Sequence, residues 1–371
     1  MGEHRRRARG PARAPGPGPG RADRGERPVS PLVTADLSRA TGAGLDPHEY
    51  LRRTEGVTTA RDWLDACAGA GEEYLRRAAA ATSPVTAAEY RRLAARWFHF
   101  ATLCPSLDRD AWAGAAARAD EAMGLALGLG PDNRAVGRSP GPTNPPTTAR
   151  RLSGPLFTGW LRGPADPVAT VVVVPGLDSS KEEFHLLAEA LLRRGAAVLA
   201  LDGPGQGVLA PTTRVRADYH HVVDQAVTAL GVDRVGLVGL SLGGYYAAEA
   251  AAHDTRVAAT VTVSGPFRLA WPDLPPLIRE VLTVRAGGAG EAESFADRVD
   301  LTDLAPRITT PLLVVDGGRD VIPGVTNGEP LARLAPAGDH LRVDHGDHLL
   351  GNARPDWLPV AADWLLDRLA R

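Results

Sequence analysis

The chain has 371 residues, 44% of them hydrophobic, and a formal net charge of −2, enough for a large domain with an accessory one and a sizeable core. The near balance of charge excludes a whole-surface field that would recruit nucleic acid or an anionic membrane. Two cysteines, Cys67 and Cys104, make neither a disulfide framework nor a zinc-ligand pair, and no apolar run reaches membrane-span length, so a soluble cytoplasmic protein is expected.

Residues 1–45 open on "MGEHRRRARGPARAPGPGPGRADRGERP", which carries too little apolar surface to offset its ordering entropy, and a disordered tail is expected. From 46 to 128, apolar and aromatic residues recur at three- and four-residue spacing in segments such as "DPHEYLRRTEG" and "VTAAEYRRLAARWFHFATLC". That pattern predicts about four helices forming an all-α unit. Its aromatics Trp97, Phe98 and Phe100 are expected to pack as core rather than line a pocket. Residues 129–149, rich in Gly and Pro, read as a linker.

From 150 onward the pattern changes. "TVVVVPG", "AAVLALDGPGQG", "RVGLVGLS", "VAATVTVSG", "PLLVVDG" and "HLRVDHG" read as strands separated by amphipathic helices. Such alternation predicts a mostly parallel, doubly wound α/β sheet over 150–371. Residues 266–309 interrupt it and are expected to make an excursion over the active-site edge. Lys181 is the only lysine in a chain that otherwise uses arginine, which reads as coding bias.

"GLSLG", 239–243, follows a strand pattern and opens a helix pattern, the context a nucleophile elbow requires. Glycine at 239 and 243 removes the Cβ atoms that would clash as strand and helix approach, and the helix N-terminus favours developing negative charge. Ser241 is therefore the candidate nucleophile. It needs a base and an orienting carboxylate, expected in the chain order Ser, acid, His. Asp320 in "DGGRDVIPG" and His348 in "VDHGDHLL" fill these roles. Asp316 is the rival acid, disfavoured because "DGG" reads as the strand's own turn; His345, and more distantly His340, are rival bases.

The N–H groups of Leu242 and Leu177 are the expected oxyanion donors, Leu177 because Gly176 lets the chain turn sharply after its strand. Asp178, Lys181, Glu182 and Glu183 are expected to be capping and surface charges of the following helix. "DGPGQG", 202–207, lacks the spacing of a phosphate-binding loop and reads as a turn. His220 and His221 are adjacent, so a helix points them apart, and no metal site is expected.

With these residues in view, the chain resembles the α/β-hydrolases. "PGLDSSKEEF", "LALDGPGQG", "GLSLGGYYA" and "HGDH" are similar to segments of the 2,6-dihydroxypseudooxynicotine hydrolase group and fermentation-respiration-switch-type esterases. The resemblance covers about 46–371. It implies that the helical unit is a cap over the active site, that no cofactor is needed, that a homodimer forms and that Ser241, Asp320 and His348 are the triad. The expected partner is a small-molecule substrate. The expected reaction is hydrolysis of an ester, lactone or ketone-adjacent C–C bond in a small aromatic or polyketide-like metabolite. An acyltransferase or cyclase with the same triad, or a non-catalytic binding protein of the same fold, are the alternatives.

Overall fold

The computed structural model describes residues 36–105, 109–130 and 148–370. Among the described residues five helices come first: α1 (Leu37–Gly42), α2 (Pro47–Thr54), α3 (Ala60–Ala80), α4 (Pro84–Ala101) and α5 (Arg109–Ala126). Helix α3 starts at a capping box, in which the Thr59 side chain accepts from Asp62 N–H and the Asp62 side chain accepts from Thr59 N–H. Trp63, Cys67, Ala70 and Tyr74 then form its buried stripe, the spacing that keeps side chains on one helix face. Tyr50 packs at the centre, 6.2 Å from the Trp97 ring and 6.0 Å from Phe100, and Trp63 Nε1 donates to Phe100 O at 2.7 Å.

The expected tail was too long. Residues 1–35 lie outside the described residues, but α1 falls within 36–45. Asp36 caps it by accepting from Arg39 N–H at 2.8 Å, and Ala40, Ala43 and Leu45 are buried in the helical core. The expected linker also ends early, because Thr148 already pairs with Gly163 in the sheet; residues 131–147 lie outside the described residues.

The main sheet has eight strands in the order β1-β2-β4-β3-β5-β6-β8-β10: β1 (Thr148–Gly154), β2 (Phe157–Gly163), β3 (Thr170–Val174), β4 (Ala197–Asp202), β5 (Val235–Leu240), β6 (Val257–Val263), β8 (Leu312–Gly317) and β10 (Gly338–Val343). The first two strands form an antiparallel hairpin added to β4, and the rest pair in parallel. Side chains alternate between two buried faces. Val172, Val174, Leu199, Leu201 and Leu237 pack on one side, and Val171, Val173, Val198, Val238 and Leu240 on the other. This double burial is why these strands read as unbroken apolar runs.

Helices α7 (His220–Leu230), α8 (Leu242–Ala251) and α11 (Glu329–Leu334) cover the first face, while α6 (His185–Leu192) and α12 (Arg354–Leu369) cover the second. The excursion carries α9 (Pro276–Ala286) and α10 (Ala289–Arg298), and its short strand β7 (Arg268–Leu269) pairs with β9 (Val325–Thr326). Among the described residues no helix is long and apolar enough to cross a membrane.

The charges of the "DSSKEE" segment are not the exposed helix-start charges expected. Lys181, Glu182 and Glu183 are each 3% exposed or less, because the helical unit lies directly over them. Lys181 Nζ sits 2.6 Å from Asp202 Oδ2, 2.9 Å from Asp120 Oδ1 and 3.0 Å from Glu182 Oε1. Burial alone would lower the Lys181 pKa, but the three carboxylates outweigh it and hold the ammonium charged. Since Asp120 belongs to α5 and Asp202 ends β4, this one side chain joins the helical unit to the sheet.

Candidate active site

Ser241 lies between β5 and α8 with φ 53° and ψ −129°, a conformation disfavoured for a residue with a Cβ. Close packing forces it. A Cβ on Gly239 would collide with Gly243 O, and one on Gly243 with Val174 O. The two glycines let strand, turn and helix approach, and the serine is left projecting from the turn.

The candidate base and acid come from neighbouring loops. Asp320 follows β8 and His348 follows β10. These loops are tied together where Gly318 N–H donates to Val343 O at 2.8 Å and Arg319 N–H to Gly346 O at 2.8 Å. His348 Nε2 is 2.9 Å from Ser241 Oγ, and His348 Nδ1 lies 3.1 and 3.0 Å from the two Asp320 carboxylate oxygens. Asn327 Nδ2 donates to Asp320 O at 2.6 Å. Beyond His348 the chain passes through left-handed conformations at Leu349 and Leu350, and Ser264 Oγ holds this turn by accepting from Leu349 N–H at 3.0 Å.

The rival residues are elsewhere. Asp316 is bonded to His340 at 3.1 Å, and burial raises its pKa despite that contact. His345 is exposed and pairs with Asp356 at 3.4 Å. For His348, burial lowers the pKa, but the hydrogen bond and charge of Asp320 more than reverse that, and the net shift is upward from 6.5.

Ser241 and His348 open on a cavity of about 440 Å³, within the range of small-molecule sites. Leu177 and Leu242 also line it, and among the described residues neither backbone N–H has an acceptor. Apolar residues of the excursion, including Leu277, Ile278 and Val281, form much of its wall, with Phe100 and Leu103 from the helical unit. Phe100 is thus both core and lining, whereas Trp97 and Phe98 do not line this cavity.

Three contributors went unread in the sequence. Arg39 lines the cavity, but its guanidinium is committed to Glu183 at 2.7 and 2.9 Å and to Asp178 at 3.1 Å. Glu183 also meets His99 Nε2 at 2.8 Å; burial raises its pKa, and Arg39 and His99 reverse this to leave the carboxyl well below its usual range. Asp36 is the second contributor, a cavity-lining carboxylate supplied by the stretch expected to be tail. Gln206 is the third. It is fully buried in the "DGPGQG" turn, where its amide bonds to the backbone beside Leu177.

The side chains among the described residues whose ligand atoms group closely enough for a metal ion are His220, Glu249 and His253, within 4.8 Å of one another. The expectation that the helix points His220 and His221 apart does not hold, since their rings lie 4.1 Å apart, while the other two ligand atoms of the group come from Glu249 of α8 and from His253 just beyond that helix. Glu249 accepts directly from His220 N–H at 2.7 Å and lies at the end of α8 remote from Ser241, about 12 Å along the helix axis at 1.5 Å per residue.

The sheet order, the strained serine between β5 and α8, and the loops bearing acid and base together define the α/β-hydrolase fold. A family model described as alpha/beta hydrolase fold matches residues 169–288. The chain is 31% identical over 228 residues to the 2,6-dihydropseudooxynicotine hydrolase of Paenarthrobacter nicotinovorans, covering 58% of this chain and 61% of that protein. It thus spans less than two thirds of that relative's length. It is 39% identical over 115 residues to Hydrolase LUC6 of a Fusarium species, covering 28% of this chain and 27% of that one. The crystal structure of the 2,6-dihydroxy-pseudo-oxynicotine hydrolase matches with a TM-score of 0.76 at 24% identity, over 90% of this chain and 96% of that one.

Proposed function

We propose that the protein is a serine hydrolase acting on an ester, lactone or ketone-adjacent C–C bond of a small aromatic or polyketide-like metabolite. The observation that carries this reading is the continuous Ser241–His348–Asp320 hydrogen-bond chain opening on a mostly apolar cavity. Ser241 Oγ attacks the carbonyl carbon while His348 Nε2 takes its proton. Asp320 orients the ring and stabilises its cationic form. The N–H groups of Leu177 and Leu242, with the positive end of α8 behind Leu242, bind the oxyanion. His348 then returns the proton to the departing oxygen or carbon as the bond to the acyl carbon breaks, and water releases the acyl group from Ser241 by the same route in reverse.

The likeness to proteins named as hydrolases, one of them a 2,6-dihydropseudooxynicotine hydrolase, supports the reaction class. The apolar lining supports a substrate that is largely hydrocarbon around its carbonyl. The test is turnover of a panel of aryl esters, lactones and 1,3-diketones by the wild-type chain and by Ser241→Ala. Turnover of one or more classes, lost by about 10⁴-fold or more in the variant, is expected. Turnover that survives the substitution would overturn the reading.

A further inference from the structure

Gln206 is fully buried, and every polar valence of its amide is used. Oε1 accepts from Gly203 N–H at 2.9 Å and from the Tyr219 hydroxyl at 2.7 Å. Nε2 donates to Pro175 O at 2.6 Å and to Gly176 O at 3.1 Å. A flipped amide would set N–H against N–H and oxygen against two carbonyls, so the surroundings admit a single orientation. Tyr219 is fixed in turn, its ring stacked 4.1 Å from that of Tyr246 on α8. Gly203 permits this, because a Cβ there would meet the Tyr219 hydroxyl.

The two carbonyls that Gln206 holds belong to the loop presenting Leu177. In a planar trans peptide, C=O and N–H point to opposite edges. Anchoring Gly176 O on Gln206 therefore directs the Leu177 N–H away from Gln206, toward the cavity that Leu177 shares with Ser241. Arg39 holds the next residue, gripping both oxygens of the Asp178 carboxylate at 3.1 Å. The Leu177 N–H is thus fixed between two anchors, and among the described residues only Gln206 bonds to the peptide unit that carries it.

We propose that Gln206 is a positioning residue for the oxyanion site: it touches no substrate, but sets the direction of the Leu177 N–H through its grip on Pro175 and Gly176. This rests on the serine-hydrolase reading. A group that only orients a transition-state donor affects kcat and the binding of tetrahedral adducts, and leaves ground-state binding alone.

The experiment uses the full chain with p-nitrophenyl acetate as substrate and phenylboronic acid as the tetrahedral-adduct probe, on Gln206→Met and Tyr219→Phe. For folded Gln206→Met, kcat is expected to fall ~30- to 100-fold with KM within ~2-fold, and boronate affinity to fall in parallel. Tyr219→Phe keeps the stacked ring but frees one side of the amide, and the same signature is expected at ~3- to 10-fold. If Gln206→Met does not fold, Tyr219→Phe decides alone. Unchanged kcat and boronate affinity, or a loss confined to KM, would overturn the proposal. Ser241→Ala is the reference: ester turnover that survives it sinks the hydrolase reading, whereas Ser241-dependent turnover indifferent to Gln206 and Tyr219 sinks only this inference.

Discussion

At the residue scale the molecule stores strain at Ser241, where the proposed chemistry is placed. Ser241 has φ 53°, and its backbone gains no compensation from the side chain, which makes no capping bond to α8. Replacing it by glycine removes the steric penalty at some cost in unfolded-state entropy. Ser241→Gly is expected to unfold at higher denaturant than wild type, by about 1 kcal/mol, while losing turnover; a less stable variant would contradict the strain argument. His348 makes a second prediction. Its pKa is raised above 6.5 because Asp320 outweighs burial, and a base must be neutral to act, so turnover should rise with pH and reach half its maximum above 6.5. Asp320→Asn should move that midpoint down and lower kcat by about 10²- to 10⁴-fold, whereas Asp316→Asn should leave kcat within about twofold. By linkage, the His348 contribution to stability is full below pH 6.5 and fades as pH rises through the folded value. Ser241 could be read from the sequence because its signal is local: five residues, a strand before and a helix after. Gln206 and Arg39 could not, since their partners Pro175, Gly176, Asp178 and Glu183 come from another part of the chain and nothing in their own neighbourhoods marks them.

At the scale of elements, the parallel strands were legible because burial on both faces writes each as an apolar run. The β1–β2 hairpin was not, because Gly154, Gly159 and Gly163 interrupt its pattern and Arg150, Arg151 and Arg162 occupy positions in it. The "DSSKEE" segment reads as a charged helix start, and only tertiary packing reveals that α5 and the sheet enclose it. Lys181 offers a clue that composition explained away. A compact ammonium with three donors meets three carboxylates at 2.6–3.0 Å, a geometry that the wide planar fork of arginine does not match. Lys181→Met should destabilise the fold by about 3–5 kcal/mol, because it leaves buried carboxylates without a counter-ion. Lys181→Arg should also lower the urea midpoint, and a midpoint equal to wild type would show that charge alone suffices there.

At the scale of the whole molecule, the cavity is a joint product of three regions. The sheet's loops supply Ser241, His348, Leu177 and Leu242; the excursion supplies Leu277, Ile278 and Val281; and the helical unit with α1 supplies Asp36, Arg39, Phe100 and Leu103. Helix α1 is locked down at several points, with Ser38 Oγ donating to Asp347 at 2.7 Å and Arg354 to Thr41 O at 3.0 Å. The segment just ahead of His348 is thereby held by the start of the described chain. The proposed function requires Ser241 to be an activated nucleophile in a preformed site. The most direct measurement is labelling of the native protein with a fluorophosphonate, followed by mass spectrometry of the modified peptide. One label per chain on Ser241, abolished by prior unfolding and slowed by about 10²-fold or more in His348→Ala, is the result expected. No label on Ser241, or labelling at the same rate without His348, would contradict it.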